Sequence, residues 1–402
     1  MIELAWAAQQ LAARRPDHCL PQGLYADERA FEFDLNAIYG RSWLMVGLDC
    51  ELPGPGSYLA LMIGRWPVLL VRDRSGDIRA FHNTCRHRGS ILCQPGHGSA
   101  PKLVCPYHRW TYDLDGSLFA AGRMAPDFDK SAHGLRPVHL RRIAGALFIC
   151  LADDPPEFDS FGDRFAEYAA PLNFGDLKLA ASDTMVEEAN WKLVMENGRE
   201  CYHCPTGHPE LVHSFPVHMV GHFNTIRNPE AAAYAARMDE LGLPHAALEG
   251  PWWQLARIPL NPGSITISMD GQPVCRKPLT ALNGGNVGSL RWAIEPHLFA
   301  HATGDHVFTF SCMPVAPAIT HVFSRWYVHK DAVEGVDYDV PSLTELWIKT
   351  NLQDKELAEN NHRGMLSPGY VPGPYSPDGE TLVARFTDWY CDRARDYVER
   401  HA

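Results

Sequence analysis

Two short segments, each with one cysteine and one histidine, constrain this chain more than any other feature of its sequence. The first is Cys85-x-His87 and the second is Cys105-x-x-His108, with seventeen residues between them. Two thiolates and two imidazoles form a complete ligand set for a metal centre. The fold must therefore present two loops side by side, so that all four side chains reach one point.

Two kinds of metal centre accept this ligand set. Zinc binds two cysteines and two histidines, but its common arrangement pairs Cys with Cys and His with His. A Rieske [2Fe–2S] cluster has two Cys on one iron and two His on the other, and each loop here supplies one of each. The pattern favours Cys85, His87, Cys105 and His108 as ligands of such a cluster, and a zinc clip is the alternative.

The sequence around these segments has the pattern of a small all-β domain. Short runs of β-branched and aromatic residues alternate with turn residues, and the Ser-Gly-Asp turn at 75–77 is typical of a β-hairpin. We place this domain at residues 42–152, after an N-terminal helical segment at 1–41 that we expect to pack on the larger domain at 153–402. A stretch rich in proline, aspartate and phenylalanine at 153–171 indicates a linker.

Residues 153–402 combine further strand runs with helices. One helix is predicted at 191–204 and a longer one at 343–363, where Ser342 and Glu345 match a capping box. Strands in a run with flanking helices are typical of a domain built on an antiparallel sheet. The predicted fold class is therefore α+β, with an all-β metal-binding domain followed by this larger domain.

A second group of metal-binding side chains lies in the larger domain. His203 and His208 are five residues apart, which on a continuous helix would point them about 140° apart. Pro205 and Pro209 interrupt the helix, because the residue before a proline avoids the α region, so both imidazoles can turn toward one point. A non-haem iron site with two histidines and one carboxylate needs one more acid.

The long helix provides a candidate for that acid. Its apolar stripe includes Leu343 and Trp347, and Asp354 falls about 20° from Leu343 at 100° per residue. A carboxylate that faces the core needs a partner, since burying it alone is costly. A metal ion shared with His203 and His208 is one such partner, and an arginine or a helix cap is the alternative.

Composition excludes several classes of protein. The chain has 402 residues with 48 acidic and 36 basic side chains, and its net charge of −12 argues against a nucleic-acid surface. No segment approaches the roughly 18 apolar residues of a membrane span, so we expect a soluble, cytoplasmic protein. Its eleven cysteines are spread over the whole chain, and in a reducing compartment cysteine near histidine indicates a metal rather than a disulfide.

The segments that carry these residues resemble a known family. Residues 81–89 (FHNTCRHRG) and 105–112 (CPYHRWTY) are similar to the Rieske domain of the ring-hydroxylating oxygenases, α-subunit type. The resemblance implies a helix-grip-like catalytic domain after the Rieske domain. It also implies that His203, His208 and Asp354 bind a mononuclear Fe(II), with O2 as co-substrate.

One position departs from the family pattern. Family members commonly have glycine after the second cluster histidine, where this chain has Arg109. Because arginine replaces glycine only where φ is negative, we expect a negative φ at Arg109.

The resemblance also assigns a role to Glu200, three residues before His203 and predicted to lie on the same helical face. In this family an acid at this position joins the two metal sites by hydrogen bonds, between neighbouring subunits of a trimer. Glu200 would then connect His203 or His208 to a cluster histidine such as His108 in a homotrimer. The chain has no G-x-G-x-x-G after a strand and no P-loop, so electrons from NAD(P)H would come through a separate flavin and iron–sulfur reductase.

The acid at position 200 also indicates a substrate class. Many aromatic-ring members carry aspartate there, whereas Glu200 and the segment 363–376 resemble the branch that acts on glycine betaine, proline betaine and carnitine. The resemblance implies hydroxylation of an N-methyl group and release of formaldehyde, which is oxidative N-demethylation. Aromatic faces hold a trimethylammonium group by cation–π attraction, so Tyr202, Trp252 and Trp253 are candidate walls of the substrate site.

Three other hypotheses stay open. An oxygenase of the same family could hydroxylate the ring of an aromatic acid or remove a methyl group from its oxygen. A pure electron-transfer Rieske protein would not need the second metal group. A zinc-stapled binding protein would contain zinc and no acid-labile sulfide.

Overall fold

The fold is seen in a computed structural model, which describes residues 2–217, 229–282 and 285–402. The chain forms two compact units: residues 40–156 make the smaller one, and residues 1–39 with 157–402 make the larger one. The predicted α+β class is confirmed, because strands dominate the smaller unit and helices flank an antiparallel sheet in the larger one. The finer division of the chain after residues 41 and 152 stays a prediction.

Short antiparallel strands build the smaller unit. In chain order they are β1 Leu44–Leu48, β2 Ser57–Ile63, β3 Trp66–Arg72, β4 Ile78–His82, β5 Gly96–Ser99, β6 Leu103–Val104, β7 Thr111–Tyr112, β8 Leu118–Ala120, β9 His139–Ile143 and β10 Ala146–Cys150. They form sheets of order β1-β10-β9, β4-β3-β2-β5 and β6-β7-β8. The predicted hairpin is confirmed between β3 and β4, where Gly76 takes a φ of 93° and its N–H donates to the Asp73 carbonyl at 3.1 Å.

The loops after β4 and β6 rest on the apolar core of this unit. Phe81, Trp110 and Tyr112 belong to that core, together with the side chains of Cys85 and Cys105. The core therefore holds both loops at their cysteines, and the residues that follow each cysteine are exposed.

One antiparallel sheet forms the centre of the larger unit. Its strands are β11 Leu177–Glu187, β12 Leu248–Glu249, β13 Trp253–Ile258, β14 Ser289–Ile294, β15 Leu298–Ala302, β16 Val307–Ala316 and β17 Ile319–His329. Their order within the described residues is β11-β17-β16-β15-β14-β13-β12. Strands β12 to β17 follow one another as neighbours, and β11 closes the far edge by pairing with β17.

Helices of very different lengths accompany this sheet. They are α1 Ile2–Ala12, α2 Gln22–Ala26, α3 Glu28–Ala37, α4 Asp159–Ala169, α5 Trp191–Asn197, α6 Cys204–Gly207, α7 Leu211–Ser214, α8 Pro229–Glu240, α9 Val340–Met365 and α10 Thr381–His401. Among the described residues, no helix combines the length and the apolar character that a bilayer crossing requires.

The predicted linker at 153–171 is wrong in its second half, because α4 occupies residues 159–169. Phe161 and Phe165 are four residues apart and fully buried, and Phe165 contacts Trp292 of β14 with ring centroids 5.4 Å apart. Their i, i+4 spacing gives one apolar helical face, which the polar composition of the stretch concealed.

Helix α9 begins before the predicted first residue. Asp339 caps it by accepting a hydrogen bond from the Ser342 N–H at 3.0 Å, and Pro341 occupies the first turn. The predicted capping box is therefore wrong: Ser342 donates to the true cap, and Glu345 pairs with Lys349 at 2.9 Å.

The apolar face of α9 packs on the sheet. Trp347 stacks on Phe308 of β16 with ring centroids 4.2 Å apart, and the Asn351 amide donates to the Ser324 hydroxyl of β17 at 2.9 Å. Asp354 follows one turn later, so the sheet contact sets where its carboxylate lies.

Helices α3, α5 and α10 meet at one buried acid. Asp34 of α3 accepts hydrogen bonds from the Trp191 indole at 2.8 Å, from the Tyr390 hydroxyl at 2.7 Å and from the Lys192 ammonium. Asp34 and Lys192 are fully buried, and removing one partner of such a pair costs about 3–5 kcal/mol. This cluster ties α3, α5 and α10 together and fixes the start of the segment that leads to His203.

Candidate metal centres

The four predicted cluster ligands lie in two loops of the smaller unit. The loop after β4 carries Cys85 and His87, and the loop after β6 carries Cys105 and His108. Both cysteines are buried and both histidines are exposed. The two imidazole rings meet edge to face with centroids 4.7 Å apart, so the two loops bring the histidines together.

The two loops have the same backbone turn. The Gly89 N–H donates to the Cys85 carbonyl at 3.0 Å, and the Arg109 N–H donates to the Cys105 carbonyl at 3.1 Å. Gly89 has a φ of 76° and Arg109 a φ of 61°, so the expected negative φ at Arg109 is wrong. The turn itself demands the left-handed conformation, at a cost of roughly 1–2 kcal/mol for an arginine, whose exposed side chain meets no obstacle.

Hydrogen bonds are aimed at both sulfur atoms. The Tyr112 hydroxyl accepts from the Arg86 N–H at 2.9 Å, which leaves its own proton for the Cys85 sulfur at 3.3 Å. Burial would raise the pKa of the Cys105 thiol, yet the N–H groups of Tyr107 and His108 hold that pKa below its usual value. At Cys85 burial outweighs the hydrogen bonds and raises the pKa of the thiol. Two thiols outside any disulfide, one of them with a lowered pKa, lie beside two imidazoles, and this set fits a [2Fe–2S] cluster.

The second group of ligands meets in the larger unit. The His203 Nε2 lies 3.0 Å from the His208 Nε2, and the Asp354 Oδ1 lies 3.2 Å from the first and 3.0 Å from the second. Two donors that each lie about 2.1 Å from one ion, at a right angle, are about 3 Å apart. The three atoms therefore have the spacing of one face of an octahedral metal site, which suits a 2-His-1-carboxylate iron.

The helix predicted at 191–204 ends early. Helix α5 stops at Asn197, and α6 starts only at Cys204, with Pro205 in its first turn. The prediction that Glu200 and His203 share a helical face is therefore wrong. Instead, Glu200 lies in the intervening bend, and its carboxylate accepts from the Tyr202 and His203 N–H groups and from the His203 Nδ1.

Each imidazole of this site is fixed through its other nitrogen. The His203 Nδ1 bonds to Glu200, and the His208 Nδ1 lies 2.8 Å from the Gln353 Oε1. The Gln353 amide in turn donates to Glu210 at 3.0 Å. These contacts leave each Nε2 to face the centre, which is the usual way in which outer partners orient metal-binding histidines. Gln353 was missed in the sequence, where its only signal was its place beside Asp354.

The charges of the three donors support one another. Burial works to raise the pKa of Asp354, but hydrogen bonds from His203 and His208 hold it below its ordinary value. Burial likewise opposes charge on His203, but Asp354 and Glu200 raise its pKa to about 9. A cation at this point is therefore electrostatically favoured.

Two cysteines flank His203. Cys201 and Cys204 form a disulfide, so the expectation that cysteine near histidine indicates only metal binding is wrong here. The two lie three residues apart in the bend and at the start of α6, which brings their Cα atoms to 4.8 Å. The Cys204 sulfur also lies 4.0 Å from the His203 Nε2.

The aromatic residues predicted to contact substrate lie in different surroundings. Tyr202 is 71% exposed. Trp252 and Trp253 are buried, and they pack against Phe158 and Phe161 with ring centroids 5.3–5.9 Å apart. Their role at the substrate stays a prediction.

The fold and the two sites define a class of protein, the Rieske non-haem iron oxygenases. Residues 42–136 match the Rieske [2Fe-2S] domain, and residues 174–396 match the ring hydroxylating alpha subunit (catalytic domain). The structure of a quaternary ammonium Rieske monooxygenase has a TM-score of 0.72 to this chain at 23% identity, covering 96% of this chain and 97% of that one. This likeness shows the shared fold.

Two relatives in sequence match almost end to end. The chain is 43% identical over 396 residues to the glycine betaine monooxygenase oxygenase subunit of Pseudomonas aeruginosa, covering 96% of this chain and 91% of that protein. It is 43% identical over 405 residues to the subunit of that name from Chromohalobacter salexigens, covering 98% and 90%. The chain therefore belongs to the ring-hydroxylating oxygenase family, α-subunit type. It is an oxidoreductase whose cofactors are a Rieske [2Fe–2S] cluster and a mononuclear iron, with O2 as co-substrate.

Proposed function

We propose that this oxygenase removes an N-methyl group from a betaine-like quaternary ammonium compound. The observation that carries the proposal is the triangle of His203, His208 and Asp354, whose 3.0–3.2 Å spacing suits an iron with open positions. The two near full-length relatives, which are named for glycine betaine, support the substrate class.

The reaction balances with one O2 and two electrons. When bound, the mononuclear iron activates O2 for the oxidation of a C–H bond, and the cluster supplies electrons one at a time. A methyl carbon on the ammonium nitrogen gains one oxygen atom as a hydroxyl group, and the other oxygen leaves as water with two protons. The N-hydroxymethyl group then loses its hydroxyl proton and breaks its C–N bond, which yields formaldehyde and the demethylated amine.

In this proposal the side chains of the chain have separate tasks. His203, His208 and Asp354 hold the mononuclear iron, while Glu200 and Gln353 keep the two imidazoles in position. Cys85, His87, Cys105 and His108 hold the cluster.

The proposal extends to electron delivery. A separate NAD(P)H-dependent flavin and iron–sulfur reductase would supply the cluster in the cytoplasm, since the relatives are themselves named as oxygenase subunits. Glu200 would act as the bridge between the mononuclear site and a cluster histidine of a neighbouring subunit in a homotrimer. Its bond to the His203 Nδ1 supports one end of that bridge.

Recognition of the substrate rests on its chemistry. A quaternary nitrogen has no proton to donate, so aromatic faces are the side chains that attract it best. Tyr202, Trp252 and Trp253 are the candidate walls. Both tryptophans are buried among phenylalanines, and for Trp253 we expect packing to be the main role.

The test is a single turnover without reductase. Protein loaded with iron is reduced chemically, freed of reductant, and mixed with O2 and one compound from a panel of betaines, carnitine and aromatic acids. Formaldehyde together with a demethylated betaine is the expected result. A hydroxylated or O-demethylated aromatic acid would instead show that the substrates are aromatic acids. Absence of product from all betaines would contradict the proposal.

A further inference from the structure

The disulfide beside the mononuclear site has no task in the chemistry set out above. Cys201 and Cys204 enclose His203, and Cys204 is 2% exposed. The donor atoms of His203, Cys204 and His208 all lie within 4.8 Å of one another. Among the described residues, these three could hold one metal ion together. The Cys204 sulfur is kept from acting as a donor beside His203, His208 and Asp354 because it is bonded to Cys201.

We propose that Cys201 and Cys204 form a redox-controlled pair, and that the redox state of this pair determines which side chains bind the metal of the mononuclear site. As a disulfide, the pair leaves the site with His203, His208 and Asp354. As a dithiol, it releases the Cys204 sulfur, which becomes a fourth donor. This inference rests on the proposed role of the three ligands and adds a control that acts on them.

The disulfide bond decides whether the Cys204 sulfur can reach a metal ion at His203. The Cys204 sulfur already lies 4.0 Å from the His203 Nε2, so a small rotation of a freed side chain brings it to an ion held at that nitrogen. A thiolate is a soft donor, and a site with one sulfur, two imidazoles and a carboxylate suits tetrahedral zinc. A fourth donor also occupies one of the positions that the three-ligand set leaves open, so we expect the dithiol form to be the less active one.

The spacing of the pair allows both states. The two Cα atoms are 4.8 Å apart, within the range of a disulfide, and the closed ring contains only the turn around His203. Pairs with C-x-x-C spacing have potentials that span those of cellular thiol pools. Oxidation uses two thiols and one hydrogen peroxide to give the disulfide and two waters. An external dithiol reverses it by taking over the disulfide.

The first experiment uses the unmodified holoenzyme. The protein is equilibrated in thiol–disulfide buffers, or exposed to hydrogen peroxide, then alkylated, and the peptide containing residues 201–204 is weighed by mass spectrometry. We expect the peptide to change between none and two alkylated cysteines in one transition. A peptide that stays fully alkylated in every oxidising condition never forms the disulfide, and this would overturn the proposal. A peptide that stays unalkylated in every reducing condition never opens the disulfide, and this would overturn it too. The latter outcome would make the disulfide a permanent staple.

The second experiment uses a matched pair of variants. Cys201→Ser and Cys204→Ser both abolish the disulfide and both remove one sulfur, but only Cys201→Ser keeps the sulfur beside His203. We expect Cys201→Ser to bind zinc at least tenfold more tightly than Cys204→Ser in competition with iron, with the visible absorption of the cluster unchanged. Equal zinc affinities would contradict the proposal. Cys19→Ser, a free cysteine elsewhere in the same unit, is the control and should behave like the parent.

Failure of this inference is distinguishable from failure of the proposed function. If Asp354→Ala retains the mononuclear iron, the ligand set itself is wrong. If Asp354→Ala loses the iron while the two cysteine variants bind zinc equally, only the redox control is wrong.

Discussion

The two metal regions of this protein are built in opposite ways. The proposed cluster ligands come from two short loops that repeat one backbone turn, and their histidines are exposed. The proposed ligands of the mononuclear site are drawn from positions as far as 151 residues apart, and His208 is 1% exposed. A centre that passes electrons benefits from imidazoles at the surface, whereas a centre that handles O2 needs enclosure and side chains that hold each ligand in place.

The largest effect is expected at Asp354, the proposed iron ligand on the long helix. Asp354→Ala should remove that iron, keep the cluster and lower turnover about 10³-fold, since metal catalysis contributes several kcal/mol and each 1.4 kcal/mol is a factor of ten. Metal analysis and cluster absorption provide the measurement. Glu356→Ala changes an exposed acid of the same helix and should leave iron in place. Full iron occupancy in Asp354→Ala would mean that the third ligand lies elsewhere.

The same contrast explains what could be predicted from the sequence. The proposed cluster ligands could be singled out because each pair lies within a few residues, and Asp354 because its position in an apolar helical stripe is a periodic signal. The early end of α5, the contact of Gln353 with His208 and the positive φ of Arg109 were not predicted. An uncharged amide in a helix carries no such signal, and a turn can impose its conformation on any residue whose side chain is exposed.

Glu200 should separate metal binding from electron delivery. Glu200→Gln keeps an oxygen that can accept from the His203 Nδ1, so both metals should remain. The loss of the negative charge should lower coupled turnover by up to about 100-fold, the upper range for outer partners of a metal site. The check is turnover with reductase beside metal content, and Glu188→Gln, an exposed acid of the same unit, serves as control. Normal turnover would remove Glu200 from the proposed bridge.

Gln353 tests whether the mononuclear site depends on its supporting side chains. Gln353→Ala removes the 2.8 Å contact to the His208 Nδ1 and leaves that imidazole free to turn. We expect the affinity for iron to fall about tenfold, with kcat per bound iron changing less. Titration of the metal-free protein with Fe(II) measures this. An unchanged affinity would show that burial alone orients His208.

Tyr112 applies the matching test to the cluster region. Tyr112→Phe removes the hydroxyl that lies 3.3 Å from the Cys85 sulfur. A hydrogen bond to sulfur stabilises the reduced and more negative cluster, so its loss should lower the reduction potential. A bond of about 1 kcal/mol corresponds to roughly 40 mV for one electron. A redox titration followed by absorption reports the shift, and an unchanged potential would mean that the hydroxyl does not reach the sulfur of the loaded cluster.

The smallest effect on catalysis is expected at the aromatic cluster of the larger unit. Packing and substrate binding predict different results for one substitution there. Trp253 is buried and contacts Phe161 with ring centroids 5.7 Å apart. If it only packs, Trp253→Phe should lower stability by about 1–3 kcal/mol and leave the KM for a betaine within about twofold. A wall for the ammonium group would instead lose cation–π attraction of about 0.5–2 kcal/mol, which raises KM up to about thirtyfold. We expect the first result, because the rings around Trp253 already fill a packing role, and thermal unfolding measured beside KM decides between the two.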